Sequence, residues 1–450
     1  MLGDRTKTTI EPIRRLLRRG AFSQVRKIVN KTHAADLSVA FRTISPYDQK
    51  KLFSMIQDLE QKGLVFSELD EDIFLRIVED LRVDEIVDIL DTMASDDVAD
   101  LMERFPADLA KEILRKMEKE GSEEVEGLLR YDTDTAGGIM VPDFVTVSED
   151  TTAEKAIASL QKEYIDVEMP FYLYVTDDYD RLVGVSSLRQ LVVVPPETPV
   201  RDFMTRDVYR VSTDMDQEEV AKIVARYDIL AVPVVDEENK LVGIITVDDV
   251  IDIIRREATE DMFKMAGVGE EFVETQSIVK STRIRLPWLF ASCLGGVLAY
   301  FIIGRFEASL KQMAYLAAFI PVIMGMGGNI GTQSSTIVVR GIATGRINIR
   351  DLWRVVGKEL SVGLILGVFY GLVVGAVARI THDQWSLSFA VTLAVMSSMS
   401  IAALVGSMFP LIFARLHIDP AVATGPFVTT SIDILSVFFY FQIATVLLNL

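Results

Sequence analysis

The stretch MVPDFVTVSED, Met140–Asp150, returns 64 residues later as MTRDVYRVSTD, Met204–Asp214. Each copy continues alike. A helix is expected over Ala153–Glu163 and again over Gln217–Tyr227. A short apolar strand follows, Phe171–Val175 and Ala231–Val235, then an acidic turn, then RLVGVSSL from Arg181 or KLVGIITV from Lys240. β-Branched runs bounded by turn residues make these two β-α-β-β-α units in tandem.

Outward from the repeat toward the N-terminus, from about Ile10 to Tyr131, apolar residues recur at helical spacing, as in Ile73, Ile77, Leu81 and Ile86, Ile89, Leu90, Met93. Pro46, Pro106 and Gly121 punctuate them. The weakly repeated DDVADLMERFPADLAKEIL from Asp96 predicts stacked short helices, a superhelical, solenoid-like domain. Toward the C-terminus the solvent changes. Runs without Asp, Glu, Lys or Arg extend over Leu286–Gly304, Gln312–Val339, Leu360–Ala378, Gln384–Ala414 and Pro420–Leu450, the last interrupted only by Asp433. A hydrocarbon core is crossed by about 20 apolar residues, so five transmembrane helices are expected.

Charge follows the same division. The 450 residues carry a net charge of -19. Residues 281–450 hold 11 Lys and Arg against 6 Asp and Glu, which leaves 35 against 59 for residues 1–280. One cysteine and three scattered histidines (His33, His382, His417) exclude a disulfide scaffold and a zinc cluster. The acidic balance argues against nucleic acid, whose phosphates it would repel. Lys280, Arg283 and Arg285 precede the first span, and Arg340, Arg346, Arg350, Arg354 and Lys358 lie between the second and third. Basic loops stay inside, so the N-terminal side is cytosolic and an odd number of spans puts the C-terminus outside. Met1–Gly20 is basic and broken up by charge, so no signal peptide is expected there. No nucleophile with a base, phosphate loop or metal-hydrolase motif is present, which argues against an enzyme.

The duplicated unit resembles a tandem CBS pair, a regulatory module that often binds adenosine nucleotides. Thr246 and Asp249 occupy the motif's usual ribose-contacting positions, and in the first copy Ser187 and Gln190 stand there, so one of the two carboxylates is missing. The order of parts then resembles the MgtE family of magnesium channels and transporters over essentially the whole chain. The match takes in an acidic helical domain (1–131), a CBS pair (132–257), a connecting plug helix (258–282) and a five-helix membrane domain (283–450). PVIMGMGGNIGTQSS from Pro321, DPAVATGPFVTTSID from Asp419 and RYDTDTAGGIM from Arg130 are similar to family motifs. The resemblance implies Mg2+ as cargo and regulator, and through the CBS pair ATP is a candidate further ligand; because one carboxylate makes a thin ion path alone, a homodimer in the plasma membrane is expected.

Read from the residues themselves, Asp433 is the one ionisable side chain deep in a span, and insertion there costs about 2.5–3.5 kcal/mol, so it should meet water, a partner or an ion. Gly425 and Pro426 are expected to loosen the backbone one to two turns earlier and bare carbonyls near Thr429. Asn329 and Gly328 offer an amide and close approach in the second span. Oxygen-only ligands suit Mg2+, which dehydrates reluctantly. Two copies of Asp433 and Asn329 about a two-fold axis give a symmetric ring. Glu307 and Glu359 read as interfacial, near span ends.

A second group of carboxylates lies in the soluble part: Asp96 and Asp100 on one helical face, Asp214, Asp216 and Glu218 opening the second CBS unit, and Asp248, Asp252, Glu257, Glu260 and Asp261 on the path to the membrane. Acidic runs are ordinarily solvated faces, yet charge this dense repels unless cations screen it. The family resemblance implies that such positions bind Mg2+, with Asp419 joining Glu260, and that Arg226 weakens one site by standing where the family carries acid. Gly267 and Gly269 are expected to hinge the connecting helix. Readings from other classes stay open: a non-conducting CBS receptor for nucleotide or metal, or a CBS-regulated carrier of another solute.

Overall fold

The structure is a computed structural model and describes residues 2–163, 172–268 and 278–450, without the side chains of residues 2–9, 163 and 423. It divides into two compact units, Met1–Arg255 and Arg256–Leu450.

The first unit opens with ten helices among the described residues, from α1 (Leu2–Arg18) to α10 (Lys119–Leu128). Side-chain caps begin some of them, at His33, Ser45 and the Arg82–Glu85 box. Ser45 Oγ accepts from Asp48 N at 3.2 Å ahead of Pro46, the first residue of its helix, where a missing N–H costs nothing. Pro106 stands at the N-cap of the helix Ala107–Lys116. Gly121, expected as a break, instead lies in the first turn of α10. Phe53 stacks on Phe66 at 4.8 Å, Phe66 meets Phe74 edge-on at 5.3 Å, and Phe74 tilts against Phe105 at 5.0 Å. Such pairs contribute about 0.5–1.5 kcal/mol each beyond the area they bury. Arg104 lies over Phe74 and donates to the carbonyls of Phe66 and Leu69, closing the top of this aromatic stack.

The duplicated segment folds as two matching three-stranded sheets. In the first, β1 (Thr146–Ser148) runs parallel to β2 (Tyr172–Thr176), which pairs antiparallel with β3 (Leu182–Ser187). α11 (Ala153–Glu163) connects the parallel pair and α12 (Leu188–Val193) follows. In the second, β4 (Val211–Ser212), α13 (Gln217–Tyr227), β5 (Ala231–Val235) and β6 (Leu241–Thr246) repeat the pattern and lead into α14 (Val247–Met265). Of the expected first strand, Phe171 lies outside the described residues. The two copies exchange their openings: Gly243 of β6 leaves room for Met140, and Gly184 of β3 leaves room for Met204. An added Cβ would come within 2.7 and 2.5 Å of the respective sulfurs. A methionine at the start and a glycine in Leu-Val-Gly therefore recur together because each fills the other copy.

The second unit is helical: α15 (Ile278–Arg305), α16 (Glu307–Gln312), α17 (Leu316–Ala343), α18 (Leu352–His382), α19 (Trp385–Arg415) and α20 (Gly425–Leu448). Among the described residues, Ile278–Arg305, Ile349–His382, Trp385–Arg415 and Gly425–Leu448 are long and apolar enough to cross a membrane. α17 is as long as α15 but falls short in apolarity because Gly, Ser, Thr, Asn and Gln interrupt it, so four of the five expected spans meet that criterion. α19 is the centre of the bundle. α18 lies on it through Gly363, Gly367, Gly371 and Gly375, where built Cβ atoms would fall within 3.0 Å of Ala403, Met396 or Thr392 atoms. Small residues at this period let helix backbones touch where no hydrophobic effect drives them together.

Among the described residues, the expected connecting segment 258–282 continues the helices on either side of it. Residues 258–265 close α14, residues 278–282 open α15, and the residues from 269 to 277, Gly269 among them, lie outside the described residues. Gly267 ends the helix with φ +72°, a conformation glycine adopts freely.

Candidate ion pathway and regulatory carboxylates

α17 has two unlike sides. On the packed side Ser398 of α19 donates to Ile323 O at 3.2 Å and lies 2.8 Å from the Ser436 hydroxyl of α20. Gly327 sits against those two hydroxyls, and Gly331 sits against Ile432 and the backbone of Gly406. On the other side Gly325, Asn329, Thr332, Gln333 and Thr336 are exposed, and a Cβ at Gly325 or Gly328 would meet nothing within 4 Å. The hydrocarbon core offers these amides and hydroxyls no partner, so such a face belongs against water or protein. Asn329 and Gly328 were legible in advance. Thr332, Gln333 and Thr336 were missed, although their offsets of three, four and seven from Asn329 mark one helical face.

Asp433 follows Ile432, the residue that fills the spaces at Gly327 and Gly331, and is itself half-exposed on α20. The expected loosening ahead of it is absent. Gly425 and Pro426 are the first residues of α20, where proline is at home, and the Thr429 hydroxyl donates to their carbonyls at 3.2 and 3.3 Å. Of the two interfacial glutamates, Glu307 is exposed and paired with Lys311 at 2.7 Å, but Glu359 is buried. Ser334 of α17 donates to its Oε2 at 3.0 Å, and Lys358 Nζ stands 3.9 Å from Oε1. Glu359 is thus a bundle carboxylate that position near a span end disguised.

The acidic residues of the first unit crowd without forming a closed metal cage: among the described residues no three His, Cys, Asp or Glu side chains converge closely enough to hold an ion. Their mutual repulsion is nevertheless visible. Burial, then the charges of Asp100 and Asp248, push the Asp97 carboxyl up, and Ser67 only partly offsets them. Burial, then Asp100, Asp134 and Asp132, push Glu103 up. Asp97, Glu103 and Asp134 join the expected Asp96, Asp100 and Asp248 in this patch, and the sequence reading passed over them because charge runs look alike. Asp216 instead caps α13, accepting from Glu218 N at 2.8 Å, and Glu218 pairs with Lys222 at 3.0 Å, while Asp214 and Asp252 are exposed. Arg226 lies against Tyr227.

In the second unit Glu260 and Asp419 do converge, on the ammonium of Lys264. Nζ lies 2.6 Å from Asp419 Oδ2 and also pairs with Glu260 Oε1, one turn back on α14. The other Asp419 oxygen accepts from Ala421 N at 2.8 Å, which fixes the carboxylate at the turn leading into α20. Burial pulls the Lys264 pKa down, but hydrogen bonds to Asp419 and Glu260 outweigh it and leave it raised. Glu257 and Asp261 flank this point on α14, half-buried.

The nucleotide positions differ between the copies. Ser187 and Gln190 form a reciprocal cap: Gln190 Oε1 accepts from Ser187 N at 2.9 Å, and Gln190 Nε2 donates to Phe203 O at 3.2 Å. In the second copy the Thr246 hydroxyl donates to Asp249. Both pairs thus bond within their own copy, and Gln190 is in addition tied to the Phe203 carbonyl.

Profiles of three families match the chain: the MgtE divalent cation transporter over residues 320–443, the MgtE intracellular N domain over 32–134, and the CBS domain over 136–197 and 200–256. The chain is 41% identical over 329 residues to "Magnesium transporter MgtE" of Thermus thermophilus, covering 72% of this chain and 73% of that one. It belongs to the MgtE family. The magnesium transporter MgtE of Bacillus subtilis is 38% identical over 337 residues, 75% of this chain and 74% of that one. The crystal structure of the cytosolic domain of the Mg2+ channel MgtE in complex with ATP aligns with a TM-score of 0.52 at 33% identity, covering 54% of this chain and 99% of that chain. The profile for the divalent cation transporter thus spans α18, α19 and most of α17 and α20, and includes the polar face and Asp433.

Proposed function

We propose that this MgtE-family chain carries Mg2+ across the plasma membrane as a homodimeric channel that cytosolic Mg2+ closes. The observation that carries the reading is the exposed oxygen-bearing face of α17, Asn329, Thr332, Gln333 and Thr336, together with the half-exposed carboxylate Asp433 on α20. One chain leaves that face open on one side. A second copy about a two-fold axis would enclose it, with two Asp433 carboxylates and a ring of neutral oxygens, a donor set suited to an ion that keeps part of its water shell. Gly325 and Gly328, with space around them, permit the approach. An anion carrier would avoid the lone carboxylate, and a non-conducting receptor has no use for a polar face in the bilayer.

Closure follows from linkage. The Asp96, Asp97, Asp100, Glu103 and Asp248 patch and the Glu260–Asp419 pair offer carboxylates to bridging Mg2+, with Asp214, Asp252, Glu257 and Asp261 as outer charges. Ions that bind the compact arrangement better than the splayed one select it. Residues 1–257 work in the cytosol and the C-terminus lies outside. A nucleotide, ATP, is read by Thr246 and Asp249, with the Ser187 position supporting its cap rather than a ribose. The test is Mg2+ uptake into proteoliposomes with internal Mg2+ varied, for the parent protein and Asp433→Ala. Flux that falls as internal Mg2+ rises, and is lost in the variant with its dimer intact, is expected. Unchanged uptake by Asp433→Ala would overturn the assignment.

A further inference from the structure

Lys264 is placed where a regulatory cation would act. Its ammonium touches one oxygen of Glu260 and one of Asp419, so two carboxylates from separate elements, α14 and the turn before α20, point at one positive charge. The same contact is the outermost part of a closely fitted joint. A Cβ at Gly425, the first residue of α20, would be forced to 2.9 Å from Met265 O, and one at Gly267 would stand 2.9 Å from Pro426 Cδ and 3.6 Å from Trp288 Cβ of α15. The end of α14 is therefore seated on the start of the helix that carries Asp433, with backbone-to-backbone approach on one side and an ion pair on the other.

We propose that Lys264 is a tethered cation that occupies the Glu260–Asp419 pair and competes there with Mg2+, setting the ion concentration at which this joint tightens. The inference rests on the regulatory reading of those carboxylates given above. Its physics is simple: a divalent ion and an ammonium seek the same two oxygens, and only one can have them. With Lys264 present, the pair is already half-neutralised and the joint is partly seated without any ion. With the charge removed, two bare carboxylates repel across the joint until Mg2+ arrives, which then binds more tightly. A unit charge acting on a divalent ion a few ångströms away through water changes affinity on the order of tenfold.

Trp288 reports the joint directly, so a full-length protein with Trp353→Phe and Trp385→Phe keeps one indole at the place of interest. Its fluorescence is titrated with Mg2+ alone in detergent for the parent, Lys264→Met, Lys264→Arg and each combined with Asp419→Asn. Lys264→Met should move the Mg2+ midpoint down about tenfold and enlarge the signal change, and Lys264→Arg should stay near the parent. In the Asp419→Asn background the shift should vanish. Equal midpoints for Lys264→Met and parent, or a shift that survives Asp419→Asn, would refute the proposal. Flux separates it from the functional reading: a shifted Trp288 midpoint in a protein that conducts nothing upholds the tethered cation and sinks the channel. Normal Mg2+-gated flux with an unmoved midpoint does the reverse.

Discussion

Replacing Gly406 by alanine tests whether the two sides of α17 do different jobs. A Cβ on Gly406 would lie 2.3 Å from Gly331 O and 3.0 Å from its Cα, backbone atoms that cannot rotate away. Ordinary contact requires α17 and α19 to part by about 1 Å, and overpacking of this kind costs about 1–3 kcal/mol. Alanine returns up to about 1 kcal/mol through its higher helix propensity, so the net loss is about 0–2 kcal/mol. At Gly328 nothing lies within 4 Å, so only the propensity gain applies and the variant should be as stable as the parent or slightly more so. The two variants should therefore differ by about 1–3 kcal/mol in thermal unfolding of the purified full-length protein. Flux should divide them differently. Gly328→Ala narrows the face proposed to line the pathway and should slow Mg2+ entry despite its stability. The reasoning fails if Gly406→Ala unfolds together with or above Gly328→Ala, because the backbone contact at Gly331 would then carry no weight.

Two further expectations follow from buried carboxylates. Glu359→Gln keeps an acceptor for Ser334 and should remain assembled, whereas Glu359→Ala leaves the Ser334 hydroxyl buried without its partner and should cost about 1–3 kcal/mol, read as a drop in unfolding temperature larger than that of the glutamine variant. In the acidic patch Asp97 and Glu103 have raised pKa values, so the folded form holds protons that the unfolded chain has released, and their contribution to stability falls as pH rises from the ordinary carboxylate range through the raised values. Asp97→Asn should accordingly raise stability at neutral pH and reduce the protection that added Mg2+ gives residues 1–255 against protease, and a variant no more stable than the parent at pH 7 would count against repulsion there.

Periodicity and duplication made most of the fold legible. The helices Ala153–Glu163 and Gln217–Tyr227 and the strand Ala231–Val235 end where the pattern said, because turn residues and β-branched runs act locally. What stayed hidden depends on distant partners. Gly363, Gly367, Gly371 and Gly375 are four residues apart, yet their meaning lies in α19. Glu359 reads as an end-of-span charge until Ser334 of another helix is seen to hold it. Gly425 and Pro426 looked like a break inside a span because hydropathy runs through Pro420, whereas the turn fixed by Asp419 starts the helix only at Gly425. The weaker apolarity of α17 was itself the signal for the candidate pathway. The residues that lower it, Asn329, Thr332, Gln333 and Thr336, are the ones exposed on one face.

That economy bears on why a chain so acidic keeps so little charge in its membrane part. A fixed carboxylate in a span holds a divalent ion strongly, and several in a row would trap rather than pass it, since conduction needs sites weak enough to leave. In the pathway proposed above, one Asp433 per chain, with neutral amides and hydroxyls along α17, would attract a hydrated cation while letting water carry most of the coordination. The dense acid lies instead where tight holding is useful, in residues 1–280, because a bound ion there changes which arrangement is favoured and need not move on. Lys264 lies at the joint with α20, paired with Glu260 and Asp419, and under the proposal above that single tethered charge would tune how much free Mg2+ the arrangement takes to respond.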